Sequence, residues 1–427
     1  MEQFEVIVVG AGLAGLACAY HLAQNGVGVL VVERGDYPGA KNVTGGRIYI
    51  QSLKTLLPDI WEGAPLERPV TRESLVFMNR EAWVRLELAS QRYRRHPHSY
   101  TVLRARFDGW LAERAEEAGA MVVPKMTVDD LRWEGGRVAG IVSGGDQVAA
   151  AVVVAADGAS STLARKAGLR GIPRPQDCAV GVKEVLSLPQ RVIEDRFQLE
   201  DGEGAAMLMV GYPSQGLRGG GFLYTNRDTL SLGVVVGVRE AMDSDHEVYR
   251  LTEELKDHPA LSPLLREARL EEYSAHLLPE AGLRGIMPLC THGLLLVGDA
   301  AGLCLNLGLT VRGMDYAVAS GVMAAQAIEQ AHQAGDFSAN SLSVYESLLR
   351  DSFVLRDFRT FQRVGRFLNN PRLYRQYPEA ACAALEEMLY LDGQPKESFV
   401  KTLRRELRKQ VSWWELARDA WEVHQTL

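Results

Sequence analysis

Three glycines and one carboxylate near the start of the chain carry the clearest chemical signal. Gly10, Gly12 and Gly15 stand in the spacing G-x-G-x-x-G, with Ala11 and Ala14 among them. The first glycine permits a tight turn. The second lets a pyrophosphate approach the backbone, and the third lets a following helix sit close to the preceding strand. Glu33 lies 18 residues after the third glycine, where a carboxylate can take both hydroxyls of a ribose. This chemistry is dinucleotide binding, and it dictates the elements around it. A buried strand over 6–9 must lead in. A helix from about 13 to 24 must lead out, its N-terminal N–H groups aimed at the phosphates. Asn25-Gly26 stops that helix. A second strand over 29–32 must deliver Glu33.

The second chemical signal is Gly298-Asp299-Ala300-Ala301-Gly302, after the apolar run 294–297. Asp299 sits where a carboxylate can accept hydrogen bonds from sugar-alcohol hydroxyls. A helix from Gly313 to about Gln330 follows. Its start at Arg312, Gly313 and Met314 can stabilise negative charge on a reduced ring. Val152 to Ala156 run into Asp157-Gly158, another strand-to-turn feature of dinucleotide domains. The stretch 35–50 has no regular period and reads as a glycine-rich loop at the ligand-binding edge, next to Arg34. Lys41, Asn42, Thr44 and Arg47 place donors there, and Gly45-Gly46 lets backbone N–H groups face a ligand. Arg104, at the start of an amphipathic helix over 104–118, is a candidate phosphate contact.

Between these pieces the pattern changes. Residues 127–154 read as a β-meander with Gly135-Gly136 and Gly144-Gly145 as hairpin turns. Residues 171–283 read as a mostly antiparallel sheet, one face of which can cover a flat ligand. The basic stretch with Arg92, Arg94, Arg95, His96 and His98 reads as a solvated turn or a docking patch for an acidic partner. Residues 338–427 read as helical. Within them, 396–418 hold seven Lys or Arg against three Glu, with Val400, Leu403, Leu407, Val411 and Trp414 at helical spacing and Trp413 and Trp421 nearby. Such a helix suits an anionic membrane surface or a solvated position on the protein body.

Composition bounds the rest. The chain has 427 residues, 47% hydrophobic and 24% charged, with a net charge of −7. This is an ordinary globular composition, and the negative charge gives no reason to expect nucleic acid. Cys18, Cys178, Cys290, Cys304 and Cys382 are scattered without C-x-x-C, so no zinc or iron–sulfur motif is written here and free thiols in a reducing compartment are expected. The N-terminal apolar run lacks a basic flank and is broken by glycine, unlike a signal peptide. No uncharged apolar stretch reaches the length of a membrane span. A cytoplasmic chain, with peripheral contact at the inner face of the cell membrane, is the expectation.

The order G-x-G-x-x-G…Glu33, Ala155-Ala156-Asp157-Gly158, Gly298-Asp299, with a β-rich insert, resembles FAD-dependent proteins of the glutathione-reductase-2 class. These share a fold with aromatic hydroxylases and geranylgeranyl reductases. The chain is most similar to the FixC branch of the electron-transfer-flavoprotein:quinone oxidoreductases. KNVTGGRIY (41–49), YTVLRARFDGWL (100–111), AVGVKEV (179–185), GGGFLYTN (219–226), EYSAHLLPE (272–280) and CLNLGLTVRGMD (304–315) carry that resemblance. It implies an α/β fold with a discontinuous Rossmann-like FAD-binding domain (1–72, 100–170, 284–335). It further implies an inserted β-sheet domain on the quinone side (73–99, 171–283) and a helical region (336–427). It implies FAD held by Gly10, Gly12, Gly15, Glu33, Arg104, Asp299 and the 312–314 helix start. Electrons would arrive from an electron-transfer flavoprotein and leave to a quinone. The larger single-chain members carry a four-cysteine iron–sulfur site near the C-terminus. Only Cys382 lies beyond residue 310 here, so a cluster would come from a small ferredoxin-like partner.

His276 is a candidate for quinone protonation, set against a structural histidine. Lys183 and Glu184 are weaker candidates, and Tyr49 and Tyr224 are candidate cavity-lining residues. Two other functions stay open on the same fold: a flavin monooxygenase or prenyl-chain reductase, and a catalytically silent electron conduit within a larger complex.

Overall fold

The computed structural model describes residues 3–41, 46–286 and 288–426. Short β-branched runs build the first sheet. Leu294–Leu296, Asp146–Ala155, Gln3–Val9, Val29–Val32 and Met121–Val123 lie side by side and parallel, in that order. Val6 to Val9, Val29 to Val32 and Val152 to Ala155 are all buried, as expected of strands covered on both faces. Leu13–Gln24 and Met314–Ala334 pack closely. A Cβ on Gly321 would collide with the Ala14 carbonyl, so the small residues let two helix backbones meet. The meander over 130–155 forms with both Gly-Gly turns in place.

The second sheet has seven strands. Their order is Arg269–Pro279, Cys178–Ser187, Thr229–Gly237, Gly219–Thr225, Gly204–Gly211, Val70–Met78 and Trp83–Ala89. All pairs are antiparallel except Gly204–Gly211 with Val70–Met78. One face is sealed. Val76, Met78, Leu186, Met207, Met209, Leu223, Leu232 and Val234 form a core with Ile193, Leu251 and Leu255 from covering helices. The period of two puts their neighbours on the other face, which turns toward the first sheet.

Three local expectations are corrected. The stretch 35–50 is not wholly irregular: Arg47–Tyr49 is a strand paired with Ser99–Thr101. The basic stretch contains a helix, Gln91–Arg95, capped by Ser90, with Arg94 paired to Glu200 and Glu203. The basic C-terminal helix is two helices, Phe399–Gln410 and Trp413–Thr426. The stripe breaks at Val411, which is extended and buried.

Candidate functional site

The carboxyl ends of four parallel strands deliver the predicted cofactor residues to one edge. Gly10 follows the strand Gln3–Val9 with φ +112°, a conformation L side chains rarely adopt. A Cβ there would also collide with the Ala156 carbonyl. Gly15 lies against Gly10 and Ala156 just as tightly. Gly12 caps the helix Leu13–Gln24 without a side-chain cap, which leaves its N-terminal N–H groups for a ligand. Glu33 ends its strand and holds the turn together. One carboxylate oxygen accepts from the Ala11 N–H at 2.9 Å, the other from the Gly35 N–H at 2.6 Å. Arg34 and Lys41 are exposed at this edge. Asn42, Thr44 and Gly45 lie outside the described residues. Gly46 packs on Tyr224: its Cβ would stand 2.9 Å from the ring.

Two acids line the same edge. Asp157 accepts from the Leu163 N–H at 2.9 Å through one oxygen, while the other is buried without a partner. Burial raises its pKa against backbone N–H groups that lower it. Asp299 follows Leu294–Leu296 in a 3-10 turn, Gly298–Ala301, closed by Gly302 at φ +75°. Burial raises the Asp299 pKa, and the nearby His276 and Arg104 oppose the rise. The helix that follows runs Met314–Ala334, four residues beyond expectation, with Gly313 at its N-cap.

Two predicted donors are already engaged. Arg104 grips the buried Asp108 with two 2.8 Å hydrogen bonds. Arg312 bonds Asp315 at 2.8 Å and pairs with Asp357, with its guanidinium over Tyr316, Phe353 and Tyr49. Both arginines lie at the edge, but their forks point to acids of this chain. Asp108 and Asp315 are four and three residues on, helical spacings that pair charges and that the sequence contained. Asp357, 45 residues away, left no local trace.

The open face of the second sheet supplies the other wall. In register across five strands it carries Lys183, Gly233, Phe222, Leu208 and Leu75 in one row, and Val185, Ser231, Tyr224, Ala206 and Glu73 in the next. Leu75, Phe77, Leu208, Val210, Phe222 and Tyr224 are only half-buried. The Phe222 and Tyr224 rings stack at 5.1 Å. This is a mostly apolar, half-buried floor. Arg47, from the two-stranded ribbon Arg47–Tyr49 with Ser99–Thr101, bonds Glu73 of this floor at 2.7 Å, with His98 3.2 Å away. Neither Arg47 with Glu73 nor Phe222 stood out as a set in the sequence, because register alone unites them. The floor also separates two candidates. Lys183 faces it, whereas Glu184 points to the sealed side and bonds Lys256 at 2.9 Å. His276 sits opposite Gly181, on the Lys183 face.

The residues fit a bound dinucleotide: a tight glycine turn with no room for a Cβ at Gly10 or Gly15, an open helix start, a paired Glu33 and an orphaned acceptor on Asp157. Comparison with known proteins narrows the group. Residues 3–200 match an FAD binding domain, and residues 365–425 match the ETF-QO/FixC family C-terminal domain. The chain is 45% identical over 419 residues to Protein FixC of Escherichia coli K12, covering 98% of this chain and 97% of that one. The chain belongs to the ETF-QO/FixC family. It is 45% identical over 409 residues to the probable electron transfer flavoprotein-quinone oxidoreductase YdiS of the same organism, covering 96% and 95%. It is 38% identical over 426 residues to FixC of Azorhizobium caulinodans, covering 98% of each. Among solved structures, a geranylgeranyl bacteriochlorophyll reductase-like protein of Thermoplasma acidophilum shares the fold, with TM-score 0.73 and 21% identity over 96% of this chain and all of that one. The cofactor is therefore FAD, and the chain is an FAD-dependent oxidoreductase.

Proposed function

We propose that this oxidoreductase passes electrons from an electron-transfer flavoprotein to a quinone. The half-buried floor of Leu75, Leu208, Phe222 and Tyr224 carries the reading. It is flat, apolar and placed against the cofactor edge, as a ring-shaped apolar acceptor requires. The name borne by YdiS supports the same reaction class.

Gly10, Ala11, Gly12, Ala14 and Gly15 would hold the pyrophosphate, Glu33 the adenosine ribose, and Asp299 with Gly302 the sugar-alcohol chain. The Gly313–Met314 helix start would face the ring. FAD supplies the two-electron chemistry when bound. The chain's part is to orient the acceptor on Phe222 and Tyr224 and to exclude water from the space between the sheets. Arg104 and Arg312 would act from behind, each held in place by acids of this chain. Only Cys382 lies in the C-terminal region, so a relay through an iron–sulfur cluster would use a separate ferredoxin-like protein. The exposed basic and tryptophan-bearing C-terminal surface would bring the site to the membrane that holds the quinone.

An anaerobic visible titration of the FAD-loaded protein tests this. Reduced electron-transfer flavoprotein should bleach the flavin band, and a short-chain quinone should restore it. Bleaching by NADPH alone, hastened by an aromatic or prenyl compound, would overturn the reading.

A further inference from the structure

Among the described residues Lys183 is the one buried lysine, at 2% exposure. It projects from the centre of Cys178–Ser187 onto the open face and shares a row with the floor. Only Gly233 separates it from Phe222. A Cβ on Gly233 would collide with the Phe222 ring, so that ring leans across Gly233 toward the lysine. An ammonium placed here loses its water, and burial lowers its pKa to about 7. Its charged surroundings come from two sides. Glu272 and His276 belong to the edge strand Arg269–Pro279. Arg104, gripped by Asp108, and Asp299 belong to the cofactor edge. Glu272 favours the protonated amine and Arg104 opposes it. The intervening strand Thr229–Gly237 presents Ser231, Gly233 and Val235 on this face, with no titratable side chain.

We propose that Lys183 supplies the second proton when a quinone seated on the floor is reduced, and takes up a replacement as the flavin is next reduced. The proposal rests on the quinone reading above. A quinone becomes a hydroquinone by gaining two electrons and two protons. Anionic reduced flavin brings two electrons and one proton. The Lys183 ammonium gives the other and becomes a neutral amine, so charge and atoms balance. Negative charge returning to the flavin then draws a proton back onto the amine, and Glu272, exposed at the sheet edge, connects it to solvent.

The test is a spectroelectrochemical titration of the FAD-loaded full chain, with dithionite and mediator dyes, at pH values from 6.5 to 9. The midpoint potential of the wild type should fall with pH at a slope of two protons per two electrons in the range above about pH 7. Lys183→Met should fall with half that slope. Lys183→Arg, which keeps a charge that does not titrate, should also show half the slope, and it stands in if Lys183→Met does not fold. A second readout is reoxidation by a short-chain quinone: its rate should drop roughly tenfold in either variant, and more at higher pH. A wild-type slope of one proton, or a two-proton slope that survives both substitutions, overturns the assignment. A two-proton slope lost on substitution, in a protein no quinone reoxidises, overturns the quinone reading and leaves the proton coupling of Lys183 standing.

Discussion

At the residue scale, Glu33 holds the glycine turn and keeps acceptor capacity for a second partner. Each of its oxygens already accepts a backbone N–H, from Ala11 and from Gly35. A carboxylate oxygen has a second lone pair, so a ribose hydroxyl can add to each without breaking the turn. Glu33→Ala should therefore weaken FAD retention by about 1–3 kcal/mol, the cost of leaving such donors unmet. That is about 5- to 150-fold in the dissociation constant, read by quenching of flavin fluorescence. Glu33→Gln keeps one acceptor oxygen and should lose less. Equal losses for both variants would place the effect in the charge rather than the turn. The glycines and Glu33 were legible because each is required by local geometry: a positive φ, a close approach, a strand end. Arg104 and Arg312 were legible as basic residues at the right edge; Asp108 and Asp315 stood at pairing distance along the helix, but Asp357 did not. A sequence gives a side chain's position along its element. It does not say which of two acceptors, a ligand phosphate or a nearby acid, takes the fork.

At the element scale, the C-terminal helices show what holds a segment without a large core of its own. Asp419, in Trp413–Thr426, accepts from Arg372 twice at 2.6 Å and from the Tyr377 hydroxyl at 2.6 Å. Its carboxyl is 5% exposed. These donors outweigh burial and hold its pKa down to about 2. A folded-state pKa below the unfolded value near 4 gives stability present above pH 4 and lost as pH falls toward 2. A shift of this size corresponds to about 2 kcal/mol. Asp419→Asn should cost about that much at pH 7 in urea unfolding followed by tryptophan fluorescence. The gap between variant and wild type should close as pH approaches 2. A constant gap across that range would mean that packing, not ionisation, sets the cost. The sequence showed helices here by their period, and it missed the break at Val411 because a buried valine continues an apolar stripe in either conformation.

At the scale of the whole molecule, the charge is uneven. The chain carries −7 overall, yet Phe399–Gln410 bears Lys401, Arg404, Arg405, Arg408 and Lys409. The helix is also turned inside out. Thr402 and Glu406 are buried against the body, whereas Phe399, Val400 and Leu403 are exposed, with Trp414 at 87% just beyond. Arg405 and Lys409 pair with Glu387, Glu397 and Glu406. Among the described residues no ion pair involves Arg404 or Arg408, which flank the apolar stripe. No helix of the described residues is long and apolar enough to cross a membrane. An apolar stripe edged by unneutralised arginines is the pattern of a helix lying in a lipid interface, where each basic residue near an anionic surface contributes about 1 kcal/mol. Replacing Arg404 and Arg408 together with Gln should then weaken binding to phosphatidylserine-containing vesicles by about 2 kcal/mol, roughly 30-fold. Binding to neutral vesicles should hardly change. Replacing Trp413, Trp414 and Trp421 with Ser should weaken both. Sedimentation with vesicles reads each case. If neither set of changes moves the sedimented fraction, the exposed stripe does not meet lipid, and the proposed quinone acceptor would have to reach the floor between the sheets by another route.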